Sequence, residues 1–206
     1  GVSSAASDVY KRQVRVHPII TKGGDLVNVI PSEVRLETYV RAKRAEAIQD
    51  AAARVDACLK GAAMAMRCRV EIDTVPGNLP LNNDANLRDL FRRNAATLFE
   101  EDGYRDYPHG GGSTDAGDLS QLMPVLHPVM AGAHGEPHSV DWHIADTANG
   151  YVSPAKTLAM MAVDLLADDA GTGRQVLEEF TPGMSRDEYL SVQEDVFRTE
   201  VFDGEA

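Results

Sequence analysis

The sequence predicts an α/β chain in two parts. Residues 14–76 read as strand, strand, long helix, strand, the order of a ferredoxin-like sandwich without its first elements. Residues 77–206 read as helices around one buried strand, the C-terminal part of a second α/β domain. Three observations carry this. EVRLETYVR alternates apolar and polar residues at period 2. From Lys43 to Met66 the apolar residues recur at three- and four-residue steps. Val125 to Ala133 is a short apolar run bounded by Pro and Gly, consistent with a buried strand.

GVSSAASDVYKRQ, residues 1–13, shows neither period and reads as a non-native leader, set aside from the fold. Val14 to Ile20 is a strand candidate whose Pro18 favours an edge or a strand end. Gly23 and Gly24 mark a turn. In the next strand Val34, Leu36, Thr38 and Val40 share one face, and Arg35, Glu37, Tyr39 and Arg41 the other. Ile48, Ala51, Val55, Leu59, Ala62 and Met66 form one stripe of the long helix. Cys68 to Val75 returns to alternation. Pro76-Gly77-Asn78-Leu79-Pro80 breaks regular structure and marks a boundary between a domain at 14–76 and one at 77–206.

Asn83 or Asp84 can cap a helix with Leu87, Leu90, Phe91 and Leu98 on one face. Ser153 followed by Pro154 predicts a helix start. That helix carries Leu158, Met161, Leu165 and Leu166, ends between Asp168 and Gly173, and is expected to cover a sheet. Ser185 opens a weaker helix in the acidic tail.

Of the 206 residues 43% are hydrophobic and 25% charged, an ordinary globular composition. The net charge of −12 argues against a nucleic-acid partner, which wants a basic face. No apolar run reaches the roughly 18–20 residues of a membrane span. Cys58 and Cys68 lack metal-ligand spacing and read as small buried hydrophobes. A reducing cytoplasm is the simplest compartment.

The densest chemistry lies between Asp106 and His138, which holds four of the six histidines. Gly110, Gly111 and Gly112 permit close backbone approach. Ser113, Thr114 and Asp115 add hydroxyls and a carboxylate. His138 follows the expected strand, in the loop position where open α/β sheets bind ligands. Imidazole is a preferred donor for zinc and similar ions, which makes His138 the candidate metal ligand. His134 is its nearest alternative. His127 and His143 read as structural or surface groups. Elsewhere Asn28 and Arg41 stand on a turn and at the end of the following strand. A guanidinium fork suits a carboxylate, although Asn28 can equally stabilise its own turn.

GGGSTDAGDLS, the strand, the His between Pro and Ser, and YVSPAKTLAMMAVDLL together resemble the C-terminal catalytic segment of peptidase family M twenty. That family includes aminoacylase, carboxypeptidase G and aminobenzoyl-glutamate hydrolase. HPIITKGGDLVNVIPSEVRLETYVRA is similar to the family's inserted lid, or dimerisation, domain. The two matches span Val14 to about Ala170.

The resemblance implies a metal-dependent amidohydrolase acting on N-acyl amino acids or dipeptide-like amides. It implies a homodimer formed through the lid, and two divalent ions in the intact parent: zinc, with manganese or cobalt as alternatives. His138 would be a metal ligand. Asn28 and Arg41 would clasp the substrate carboxylate, with Gly112, Ser113, Thr114 and His17 facing the substrate. The family's His-x-Asp pair, bridging Asp and Glu-Glu pair have no counterpart here, so the chain is expected to be an inactive fragment. Two other classes remain open: a non-catalytic dimerisation module, and an unrelated α/β protein with a carboxylate site.

Overall fold

A computed structural model describes residues 14–99, 103–107 and 112–205. The expected leader, Gly110 and Gly111 lie outside the described residues. Helices alternate with short antiparallel ladders, compatible with an α/β fold. In chain order they are β1 (Val14–Lys22), β2 (Arg35–Ala42), α1 (Ala45–Met66), β3 (Arg69–Thr74), α2 (Ala85–Leu98) and α3 (Asp115–Leu119). β4 (Ala133–His134), β5 (His143–Ile144), α4 (Ser153–Glu179), α5 (Arg186–Val196) and β6 (Arg198–Asp203) follow. The chain divides into two compact units. The first takes the described residues of 1–81, 109–118 and 186–206, and the second those of 82–108 and 119–185. The division is interleaved along the chain.

In the first unit β1 and β2 form an antiparallel hairpin. Val16 faces Val40 and Ile20 faces Leu36, while His17 pairs with Tyr39 and Arg15 with Arg41. The two faces are those the alternation predicts, but the apolar one is largely exposed, with Ile20 at 68% and Leu36 at 51%. α1 lies against β2, β3 and β6. It buries Ala47, Ala51 and Ala63 and half-buries Val55 and Leu59, a step of four where the sequence pattern had placed Ala62 and Met66. Alanine at the contact lets a helix approach closely while removing little apolar surface per residue. Arg67 ends α1 in the left-handed region, its N–H bonding the carbonyls of Ala63 and Met64.

Two expectations fail in this unit. Cys58 and Cys68 are exposed, not buried. Cys68 is a junction held by its backbone, its N–H on Ala63 O and its carbonyl on Gly204 N, which leaves the thiol outside. The single ferredoxin-like sheet is also absent among the described residues. β3 pairs with β6 instead of the hairpin, with Val70 opposite Phe202 and Ile72 opposite Glu200. β6 itself lies in the tail where only a helix was expected.

In the second unit Asp84 caps α2, its Oδ1 accepting the Leu87 N–H at 2.9 Å. Leu87, Leu90, Phe91 and Ala95 then meet Met161 and Val176 in the core, with Phe99, Tyr104, Leu126, Met130 and Leu165 around them. Asn94 is buried and donates to Asp164 at 2.9 Å, which satisfies its amide.

The buried strand expected at Val125–Ala133 does not form; only Ala133 and His134 are extended in a ladder. Pro124 and Pro128 each withhold a ladder donor. The remaining backbone bonds go to a loop, Val125 O to Asp84 N and His127 N to Asn83 Oδ1. α4 therefore covers α2 rather than a sheet.

α4 starts at Ser153 with Pro154 in its first turn, as the sequence predicts, but without a capping side-chain hydrogen bond. A π-helical turn at Ala148–Val152 leads into it, and Asp146 Oδ1 accepts the Asn149 N–H of that turn at 3.1 Å. The break expected near Asp168 is present as left-handed backbone at Asp168, Asp169 and Ala170. Helix resumes beyond it to Glu179 and brings Val176 inward. Among the described residues no helix is long and apolar enough to cross a membrane.

Candidate carboxylate-binding cleft

The site begins with period 2. Tyr39 and Arg41 are two apart in β2, so both side chains leave the strand on one face. Arg41 Cζ stands 4.9 Å from the Tyr39 ring centroid, an attraction between cation and ring quadrupole that also limits where the guanidinium can turn. Arg41 Nε is buried and has no hydrogen-bond partner among the described residues. Burying a charged donor unpaired is costly, so this nitrogen is a vacant position for an acceptor.

Opposite β2 the cleft is walled by Gly77, Asn78 and Pro80 and by Gly112 and Ser113. Those two stretches are joined. Pro80 and Ser113 form an isolated antiparallel bridge, and Leu79 N–H donates to Asp118 Oδ1 at 3.1 Å. Gly117, in α3, comes so close to Leu79 that a Cβ would run into the Leu79 carbonyl oxygen. Burial raises the Asp118 carboxyl above its ordinary range, while the Leu79 amide pulls it down. The cleft itself is small, about 30 Å³. That is room for one or two waters, or for the two oxygens of a carboxylate.

The structure thus brings Arg41, Gly112 and Ser113 together. Thr114 lies one residue beyond the lining, its carbonyl accepting Gly117 N–H at 2.7 Å. His17 is opposite Tyr39 on β1 and exposed. Asn28 does not join Arg41: it sits in the exposed turn closed by Val29 N–H on Leu26 O. Arg41 pairs with Arg15 at the other end of the hairpin. Six residues of strand separate Arg35 from Arg41, roughly 20 Å at the rise of a β-strand. Within one copy the expected clasp is therefore not formed. The pattern missed Tyr39 and Pro80, although alternation had already set Tyr39 beside Arg41.

His138 is exposed in a tight turn with φ +67, next to Ser139, whose N–H bonds Glu136 O. Among the described residues no group of three or more His, Cys, Asp or Glu side chains is arranged to hold a metal ion. These residues do not make up a two-ion centre.

No family model matches the chain. It is similar to the Xaa-Arg dipeptidase of Homo sapiens, 30% identical over 206 aligned positions that cover 92% of this chain and 44% of that protein. Against the Xaa-Arg dipeptidase of Mus musculus it is 31% identical over 162 positions, 74% of this chain and 37% of that one. The chain spans less than half the length of these curated relatives. At a coarse level the similarity lies with peptidases and amidohydrolases.

Proposed function

We propose that this chain supplies the carboxylate grip of a peptidase or amidohydrolase acting on dipeptide-like or N-acyl amino-acid substrates. The observation that carries the reading is the buried Arg41 Nε, unpartnered among the described residues, in a cleft shared with Gly112 and Ser113. A guanidinium offers donors in a fixed fork and cannot be discharged. A carboxylate entering the cleft would take the bond that Nε lacks, while Tyr39 holds the guanidinium plane. Ser113, which lines the cleft, would add a hydroxyl donor. The volume admits the carboxylate and leaves the rest of the substrate outside.

The relatives are named for dipeptides ending in arginine. A net charge of −12 favours approach of a cationic dipeptide. The exposed apolar face of the hairpin, with Val16, Ile20 and Leu36, supports assembly as a homodimer. Divalent ions would supply the hydrolytic water in such an enzyme. The described residues do not assemble their ligands, so no hydrolytic step is assigned to this chain's side chains. By itself it is proposed to bind and not to cleave.

Equilibrium dialysis against a dipeptide and its C-terminal amide tests this. The free carboxylate should bind at least tenfold more tightly; equal affinity would remove the reading. Adding Zn²⁺, Mn²⁺ or Co²⁺ should give no turnover by the 206-residue chain, and measurable turnover would overturn the binding-only assignment.

A further inference from the structure

His134 and His143 are directly opposed in the β4–β5 ladder. Their rings lie 5.5 Å apart between centroids and are tilted by 58°. Both side chains are exposed. His143 Nδ1 is 2.7 Å from the Asp141 carbonyl oxygen. A carbonyl can only accept, so Nδ1 is the donor, and in the neutral ring Nε2 is then the nitrogen with the lone pair. Fixing one ring nitrogen in this way orients the other toward a ligand.

The hairpin that carries the pair is pinned at both ends. Below it, Ala145 and Asp146 both donate to Gly132 O, at 2.8 and 3.0 Å. Above it, Gly135 has φ +87, and a Cβ there would lie 2.7 Å from Asp141 O. Trp142 N–H closes the turn on Ser139 O. The backbone thus holds the two positions opposite one another before any ligand arrives, which lowers the ordering cost of binding.

We propose that His134 and His143 form a two-imidazole site for a divalent transition ion on the β4–β5 hairpin. The centroid separation is close to what two imidazoles on one ion need. With metal–nitrogen bonds of about 2.0–2.1 Å, two rings at tetrahedral or right angles place their centroids roughly 4.5–5.3 Å apart. A small side-chain rotation closes the gap from 5.5 Å. Two neutral imidazoles select Cu²⁺, Ni²⁺ or Zn²⁺ over the oxygen-seeking Mg²⁺ and Ca²⁺. Water completes the coordination. His138 takes no part.

Zn²⁺ titration of the 206-residue chain, followed through the histidine ring resonances by ¹H–¹⁵N NMR, tests the assignment. The His134 and His143 resonances should move together and saturate at one equivalent, with no response to Mg²⁺. His134→Gln and His143→Gln should each weaken Zn²⁺ binding tenfold or more, while His138→Gln stays within twofold. Both positions are exposed, and melting without metal checks that each variant folds; if one does not, the resonance shifts of the unaltered chain decide. Zinc affinity retained by either 134 or 143 variant, or shifts confined to other histidines, would overturn the proposal.

Discussion

The guanidinium of Arg41 rests on the ring of Tyr39, 4.9 Å from Cζ to centroid, two residues away on the same face of β2. Stacking engages the flat face of the group and leaves its in-plane donors available. Nε is buried with no partner among the described residues. Removing the ring should therefore loosen the grip without abolishing it. Tyr39 is 61% exposed, so Tyr39→Leu should weaken carboxylate affinity by only about 0.5–1 kcal/mol, read by calorimetric titration with an N-acyl amino acid. A loss above tenfold would mean that Tyr39 touches the ligand directly.

Two glycines in helices should respond in opposite directions to the same substitution. Gly61 in α1 has open space where a Cβ would stand, so Gly61→Ala should stabilise by roughly 0.5–1 kcal/mol through backbone entropy. Gly117 faces the Leu79 carbonyl, so Gly117→Ala should destabilise by about 1–3 kcal/mol as the 77–81 stretch is pushed off. Urea unfolding of the two variants separates them.

Asp118 should give stability a pH dependence of definite sign. Its carboxyl is raised from 3.8, chiefly by burial. The folded chain then holds a proton that the unfolded chain has already released, so stability falls as pH rises from about 3.8 through the raised value. Asp118→Asn keeps an oxygen for the Leu79 N–H and cannot titrate. Its melting temperature should vary less over that window than the unaltered chain's; identical profiles would contradict this.

The cap on α2 is a local, separable contribution. Asp84→Ala removes the acceptor of Leu87 N–H and should cost about 1 kcal/mol. Asp84→Asn should recover most of it. Thermal melts of the pair are the measurement.

Sequence pattern reached the elements whose signal is local. The alternation in EVRLETYVR fixed the faces of β2, and Asp84 with Leu87, Leu90 and Phe91 described α2 and its buried side. Failures came where partners are distant. Val125–Ala133 has strand composition, but two prolines and the loop at 83–84 decide its hydrogen bonds. β6 is a short, mixed segment, extended because β3 offers it a ladder. In the cleft, residue types pointed to Arg41, Gly112 and Ser113 separately. That Pro80 bridges to Ser113 is a long-range pairing without a local signature. Asn28 lies apart from Arg41 within one copy for the converse reason, since closeness in sequence does not bring a hairpin's tip back to its base.

The most direct test of the central claim watches Arg41 itself. In ¹H–¹⁵N spectra of the 206-residue chain, the Nε–Hε resonance of Arg41 should shift and saturate on titration with N-acetylglycine. It should stay in place with N-acetylglycine amide, and Arg41→Lys should abolish carboxylate binding despite keeping the charge. An unmoved Arg41 resonance, or one that answers equally to acid and amide, would contradict the claim that this guanidinium is the carboxylate's seat.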